Sequence, residues 1–404
     1  MKTVLRFFMT TIAGVAAFAS FALADNHGGS MHTVSGHVRT RFVLQDNAAL
    51  TDTNYIEAFY NRARLNFDVT PTDTLKVRIT PETIWTWGSL DTARPNVAMY
   101  ETWMAWMPTD MMSLYVGRQA LSYGSGRVIG TEDWDMTGVS PTFDAARMVV
   151  SYDLCKTDFF WAKQNERNAA PSAVTDNNLF GLYNAFNMSD KVEFMNALDL
   201  YALYAWDSDV GGVAGVATKF FFLGARATGD IQMLDYEIEL TTQFGEVAGT
   251  DSQKGLSADL TVGADVMEKH HFAVNVAYAN SEYVNVYGDT HQFLGNADVI
   301  ARNNLYALGL MADFGLTDEF SAGIDGYYFM RANTDVGHTG LNGAATAGTD
   351  RPLGLELDLS LAYQPEEMLV FDFGYDMFKP QGGFDTAGAN KVFHDVYLQG
   401  TLSF

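Results

Sequence analysis

The chain has 404 residues, with 25 Lys and Arg against 49 Asp and Glu, for a formal net charge of −24. That balance argues against nucleic acid as a partner, because phosphate binding needs clustered cationic charge. A single cysteine excludes an intramolecular disulfide framework and the multi-cysteine zinc sites. At 48% hydrophobic the chain is not disordered, yet a mean hydropathy of −0.05 is too low for a bundle of membrane helices.

The first segment reads as a targeting signal. Lys2 and Arg6 form a basic start, an apolar run extends from Phe7 to Leu23, and Ala22-Leu23-Ala24 is a small-x-small cleavage pattern before Asp25. Residues 1–24 are therefore expected to be a signal peptide, leaving 25–404 as a single domain. Asp25 rather than a Cys directly follows the cleavage pattern, which argues against a lipid anchor. No later apolar run is long enough for a spanning helix.

The rest of the chain alternates with a period of two, as it must where successive side chains point to opposite faces of a strand. Val34, Val38, Phe42 and Leu44 share one parity, with His37, Arg39 and Arg41 on the other. Phe59, Ala63, Leu65 and Phe67 alternate with Arg62, Arg64 and Asp68. After the turn Pro71 to Thr74, Leu75, Val77 and Ile79 alternate with Lys76, Arg78 and Glu82. The stretches 96–121 and 157–188 are weakly patterned. Beyond Ser189-Asp190, read as a tight turn, Val192, Phe194, Leu198 and Leu200 alternate with Glu193 and Asp199. Leu234, Ile238 and Leu240 then alternate with Asp235, Glu237 and Glu239, and Leu256, Leu260 and Val262 with Asp259 and Asp265. His270-His271 opens a strand at a turn. Ile324 and Tyr328 alternate with Asp325 and Arg331, Leu355, Leu357 and Leu359 with Glu356 and Asp358, and Phe371 and Phe373 with Asp372 and Asp376. The last strand runs His394, Val396, Leu398, Gly400 and Leu402 to Phe404, with Asp395 on the other face.

Strands of about 10 to 14 residues exceed the globular average of about 5 or 6 and match a tilted crossing of a bilayer. Short turns alternate with long polar loops, including 88–96, 123–142, 282–302 and 333–351. The fold class is thus all-β: a transmembrane antiparallel barrel of about 18 strands, with 16 the alternative count, short periplasmic turns and long extracellular loops in the bacterial outer membrane. A terminal strand ending in Phe404 is similar to the recognition signal of outer-membrane barrels, which implies the barrel-assembly machinery as a partner beside outer-membrane lipid. The competing reading is a secreted β-sandwich or β-helix enzyme.

In a barrel the apolar parity meets lipid and the polar parity lines the lumen. Arg39, Arg41, Arg62, Arg64, Lys76 and Arg78 are therefore expected inside on three consecutive strands. Residues 25–150 carry ten basic and fourteen acidic groups, the remainder thirteen and thirty-five. The later inward positions hold Asp235, Glu237, Glu239, Asp325, Glu356, Asp358, Asp372 and Asp376. A basic wall facing an acidic wall across a constriction would set ion selectivity. Trp85, Trp87, Trp103, Trp106 and Trp161 read as interface anchors, and Cys155 as an inert thiol in a turn.

Four short motifs recur in order: Gly117-Arg118-Gln119 with Tyr123-Gly124-x-Gly126-Arg127; Asp133-Trp134 with Phe143-Asp144-x-x-Arg147; Thr290-His291-x-Phe293-Leu294-Gly295-x-x-Asp298; and Gly354-x-Glu356-x-Asp358 with Gly374-Tyr375-Asp376-Met377-Phe378-x-Pro380. Together they resemble the alginate-export family. The resemblance implies an 18-stranded outer-membrane barrel and makes Arg118, Arg127 and Arg147 candidate pore or loop charges. Strict alternation places Arg118 with lipid-facing Leu114 and Val116, so a bulge at Gly117 is expected to turn it inward, the alternative being that Arg118 lies above the apolar band. The family's namesake passes an anionic polysaccharide through a basic lumen, whereas the later strands here are acidic. The expected function is a porin for passive diffusion of small hydrophilic or charged solutes. The alternatives are an exporter of an anionic, alginate-like polysaccharide and an outer-membrane enzyme. No spacing singles out a nucleophile or a catalytic residue, and no cofactor is expected. Asp133, Asp135 and Asp144 form a loose calcium-loop spacing, but the last ligand is not Glu and the flanks are not helical.

Overall fold

Eighteen antiparallel strands realise the alternation. They are β1 (Met31–Asp46), β2 (Tyr55–Thr72), β3 (Leu75–Thr86), β4 (Val97–Thr109), β5 (Met112–Gln119), β6 (Phe143–Ser151), β7 (Cys155–Lys163), β8 (Asp176–Asn187) and β9 (Ala197–Ser208), then β10 (Thr218–Ile231), β11 (Leu234–Val247), β12 (Thr250–Val266), β13 (His270–Ala279), β14 (Leu305–Gly315), β15 (Phe320–Arg331), β16 (Pro352–Glu366), β17 (Leu369–Pro380) and β18 (Phe393–Ser403). This computed structural model describes residues 31–404 except 48–49, 51–54, 89–96, 132, 135, 137–140, 165–175, 209–217, 248–249, 268, 292, 339–349 and 385–389. The expected signal peptide lies outside the described residues.

Each strand pairs with its sequence neighbours, and β18 pairs with β1 from Ser403 opposite His37 to His394 opposite Asp46. The sheet is therefore closed, and no edge strand is left with unpaired backbone groups. Reciprocal bonds between Gly36 and Phe404 finish the seam. The weakly patterned stretches each hold two strands, β4 with β5 and β7 with β8, which gives 18 rather than 16. Among the described residues no helix is long and apolar enough to cross a membrane; the strands are the crossing elements.

Leu240, Leu260, Val276, Leu308, Ile324 and Leu398 stand exposed on the outside, as the parity requires of a face that meets lipid. Outward aromatics cluster toward the strand ends: Phe59 stacks on Trp87, Phe221 on Phe244, and Phe320 on Tyr363. Trp103 departs from the expected girdle. It faces inward, where its indole donates to Glu101 and lies near Lys76 and Arg78. A register shift where β3 pairs β4 explains this: Thr80 opposes Glu101 but Pro81 opposes Met99, so Tyr100 is an extra residue and both Tyr100 and Glu101 point inward.

One turn is longer than its sequence suggests. The β8–β9 connection runs over 188–196 instead of two residues, because Lys191 and Val192 donate back to the Met188 carbonyl and Asn196 binds Asp230 across the rim. Phe194 is thus an exposed turn residue, not part of β9.

The interior is also less polar than simple alternation implies. Inward residues of β6 to β10, among them Phe143, Phe160, Leu179, Tyr201 and Phe220, are buried against Leu121, Val128, Ile129 and Tyr287 of connecting segments. A second internal cluster joins Ala277, Phe329, Phe378 and Phe393 to Leu294, Val299, Ile300 and Phe384. Ordering a connecting residue costs about 1–2 kcal/mol of backbone entropy, and burying one large apolar side chain returns about 1.5–3 kcal/mol. These inward apolar patches allow long connections to pack inside the barrel.

Candidate functional site

The described residues of two connections fold into the lumen, one between β5 and β6 (120–142) and one between β13 and β14 (280–304). The first leaves β5 through Gly124 and Gly126, whose φ values of +60° and +88° set a reversal that glycine adopts without strain. Beyond it the chain crosses from the β6–β7 wall toward both β11–β12 and β1–β3. Tyr123 donates to Asp158, Ser125 donates to Glu239, and Arg127 pairs with Glu237 and lies 3.6 Å from Asp259. At its far end the Asp133 carbonyl accepts from Arg39 and Arg62 at 2.8 Å each. Its carboxylate lies 3.0 Å from Arg62, 2.9 Å from Arg64 and 3.8 Å from Arg39. Burial pushes the Asp133 carboxyl up, but Arg64, Arg62 and Arg39 together outweigh it and hold it below its ordinary value.

The neighbouring Trp134 stacks on the Arg41 guanidinium, 3.7 Å from the ring centre, and on the His291 ring at 4.2 Å. His291 belongs to the second connection and is paired with Asp298 at 3.0 Å. Further joints fix the two segments to one another. Gly130 donates to Tyr287, Asp289 donates to Gly126, and Arg127 lies over the Phe293 ring. The second segment then reaches the wall. The Ala297 amide donates to Glu356 at 2.8 Å and the Asn296 amide to Asp358 at 3.1 Å, while Arg302 binds Asp259 at 2.6 Å. Gly295, with φ +84°, lies so close to the Glu356 carboxylate that a Cβ would collide with it. The sequence motifs at 123–134, 290–298 and 354–358, far apart in the chain, thus meet inside one barrel.

The structure places Arg39, Arg41, Arg62, Arg64, Lys76 and Arg78 inward, as the parity predicts. Their exposure is uneven. Arg62 is wholly buried, and Arg41 and Arg64 are buried beneath Asp133 and Trp134. Arg64 is further paired with Glu82 and stacked 3.5 Å from the Tyr100 ring centre. Arg41 is bound by Gln399. Nearer the periplasmic turns, Arg78 bridges Asp68 and Glu101, and Lys76 lies 3.8 Å from Asp68. Arg147 also faces inward, pairing with Asp158 beside Tyr115 and Tyr123.

Arg118 does not. It keeps register with Thr102 and Asp144, with no shift at Gly117, and forms a bidentate pair with exposed Asp144 on the outer face. Gly117 carries a φ of +127° but inserts no extra residue, so alternation holds and the expected bulge is absent. The same contact dissolves the calcium spacing. Asp133 is inside among arginines, Asp144 is outside on Arg118, and Asp135 lies outside the described residues.

The acidic candidates are all inward. Asp235 is half-exposed toward the periplasmic end, and Glu237 and Glu239 hold the first connection. Asp325, Asp358, Asp376 and Asp395 oppose one another in successive pairs across β15 to β18 and form a continuous rung of carboxylates. Glu356 stands one step along β16, and Asp372 accepts from Gln399. Glu82 and Asp199 stood in the alternation as polar positions and Glu101 and Asp158 lie in the weakly patterned stretches; all four pair the inward arginines, and none carried a motif.

The alginate-export family matches residues 30–397. The chain belongs to that family. No curated protein matches it in sequence. Its barrel is similar to solved Pseudomonas porins at low identity, which is a likeness of fold. OccK2 (OpdF) of Pseudomonas aeruginosa, solved with glucuronate, has a TM-score of 0.69 at 10% identity, covering 93% of this chain and 100% of that one. A BenF-like porin of Pseudomonas fluorescens Pf-5 has a TM-score of 0.66 at 9% identity, covering 92% and 99%. OpdK of Pseudomonas aeruginosa has a TM-score of 0.65 at 11% identity, covering 93% and 98%. This is an outer-membrane barrel of porin architecture.

Proposed function

We propose that this family member is an outer-membrane channel for passive diffusion of small hydrophilic or charged solutes, not an enzyme. The observation that carries the reading is the pair of inward connections, 120–142 and 280–304, fastened to opposite walls of a closed 18-stranded barrel. A segment that narrows a lumen and lines it with fixed charge sorts solutes by size and sign. The similar barrels include porins, in keeping with transport. Export of an anionic polysaccharide is the second reading, favoured by family membership. It is weakened by the interior, where carboxylates of β11 to β18 would repel a uronate polymer. Residues 1–24 would be removed on export, and β18 with the Phe404 that follows it would be read by the barrel-assembly machinery. Purified protein in a planar bilayer is expected to give ohmic conductance steps. A barrel that passes no current, or current blocked by uronate oligomers at low concentration, would displace the diffusion reading.

A further inference from the structure

The charge inside the barrel is not balanced between two walls. Most of the inward cations are paired within the protein, although three arginines share two carboxylates at Asp133 and Glu82, and Arg41 is held by Gln399 and aromatic rings instead of a carboxylate. Arg39, Arg62 and Arg64 share Asp133 and Glu82, Arg78 is taken by Asp68 and Glu101, Arg147 by Asp158, and Arg226 by Asp199 and Glu237. Arg41 lies sandwiched against Trp134 and Tyr397. A paired arginine presents little net field to a passing ion.

The carboxylates of β14 to β18 are compensated less, with Arg39 and Arg41 acting on Asp372, and Arg41 and His291 on Asp395, only from beyond ion-pair distance. Asp325, Asp358, Asp376 and Asp395 stand opposite one another along one rung, flanked by Asp313 on β14 and Asp372 on β17. None has a basic side chain within ion-pair distance among the described residues. Asp358 and Asp376 are each 2% exposed, and each keeps one carboxylate oxygen with no hydrogen-bond partner. Asp313 is exposed, and Asp325 and Asp372 are partly so, which puts charge where a solute passes. Toward the periplasmic mouth, Asp235 and Asp265 add to the excess, with His271 between them. Opposing them, Lys76 and Arg78 are paired, and exposed Lys156 sits at the rim.

We propose that the lumen is cation-selective, and that the solutes it favours are small organic cations such as amines and basic amino acids. Low-dielectric walls of one sign focus the field and raise the local concentration of the opposite ion. The fastened arginines serve to hold the inward connection, while the solvent-reached carboxylates of Asp313, Asp325 and Asp372 set the sign of the current. This rests on the channel reading above.

The test is the reversal potential of the full-length protein in a planar bilayer under a potassium chloride gradient, together with liposome swelling in arginine against glutamate. The expected results are a reversal potential of the sign for potassium permeation and faster swelling in arginine. The double variant Asp325→Asn with Asp372→Asn, at partly exposed positions, is expected to bring the potassium-to-chloride permeability ratio toward unity with conductance retained. A conducting protein that prefers chloride, or a double variant with unchanged selectivity, overturns the charge assignment and leaves the channel standing. A protein without conductance overturns both.

Discussion

Replacing Asp133 with Ala removes the carboxylate that fastens the β5–β6 connection to the basic wall. Two guanidiniums, those of Arg62 and Arg64, lie within 3.0 Å of it, and Arg39 lies at 3.8 Å. Hydrogen bonds to charged groups contribute about 1.5–3 kcal/mol each. The Asp133 side chain is 35% exposed, so solvent screening places the combined loss near the lower end, about 3 kcal/mol. At about 1.4 kcal/mol per factor of ten, the ratio of released to docked segment rises about a hundredfold. The Asp133 carbonyl and the Trp134 stack on Arg41 remain, so release is confined to this end of the segment. Single-channel recording should show larger conductance steps and added open-channel noise, and protease added from the extracellular side should cut within 120–142. Conductance, noise and protease resistance all equal to the parent protein would show that Asp133 is not the fastening.

Arg64→Glu sets a carboxylate against Glu82 and Asp133 and breaks a buried pair, at a cost of about 3–5 kcal/mol; folded-barrel mobility on unheated gels should fall, and adding Glu82→Arg should restore part of it. Gly295→Ala forces a Cβ onto the Glu356 carboxylate at a positive φ. The strain, about 1–3 kcal/mol, should speed hydrogen exchange at the Asn296 and Ala297 amides without loss of the barrel. His338, buried with its Nδ1 hydrogen-bonded to the Asn303 carbonyl, is held neutral by burial, with its pKa lowered to about 4. The unfolded side chain takes a proton near 6.5 and the folded one only near 4, so packing of the β15–β16 connection should weaken as pH falls through that window. Exchange at neighbouring amides should rise over the same range, and a His338→Gln variant should lose the dependence.

The barrel was legible because a lipid-facing strand leaves its mark at every second residue. Leu234 to Leu240 and Leu355 to Leu361 show the parity without any tertiary context, and the same parity put Arg62, Asp325 and Asp376 inside. Arg118 shows the rule outlasting an objection to it. A lone charge on the outer face is costly, but Asp144 opposite it on β6 pairs it, and two residues in register on different strands carry no signature in one sequence. The interior packing was hidden for a similar reason. Phe160, Tyr201 and Phe220 sit at inward positions that alternation assigns to water, and only connections folding back through the lumen make those positions apolar. Asp133 and Trp134 were legible as a motif, but their partners Arg41, Arg62 and His291 lie on elements far away in sequence.

Conduction is the property on which the rest depends, and a planar-bilayer recording of the purified full-length protein in symmetrical potassium chloride reads it without intermediates. Discrete ohmic steps that persist at low voltage are expected; a correctly folded, heat-modifiable barrel that inserts and passes no current would contradict the channel reading.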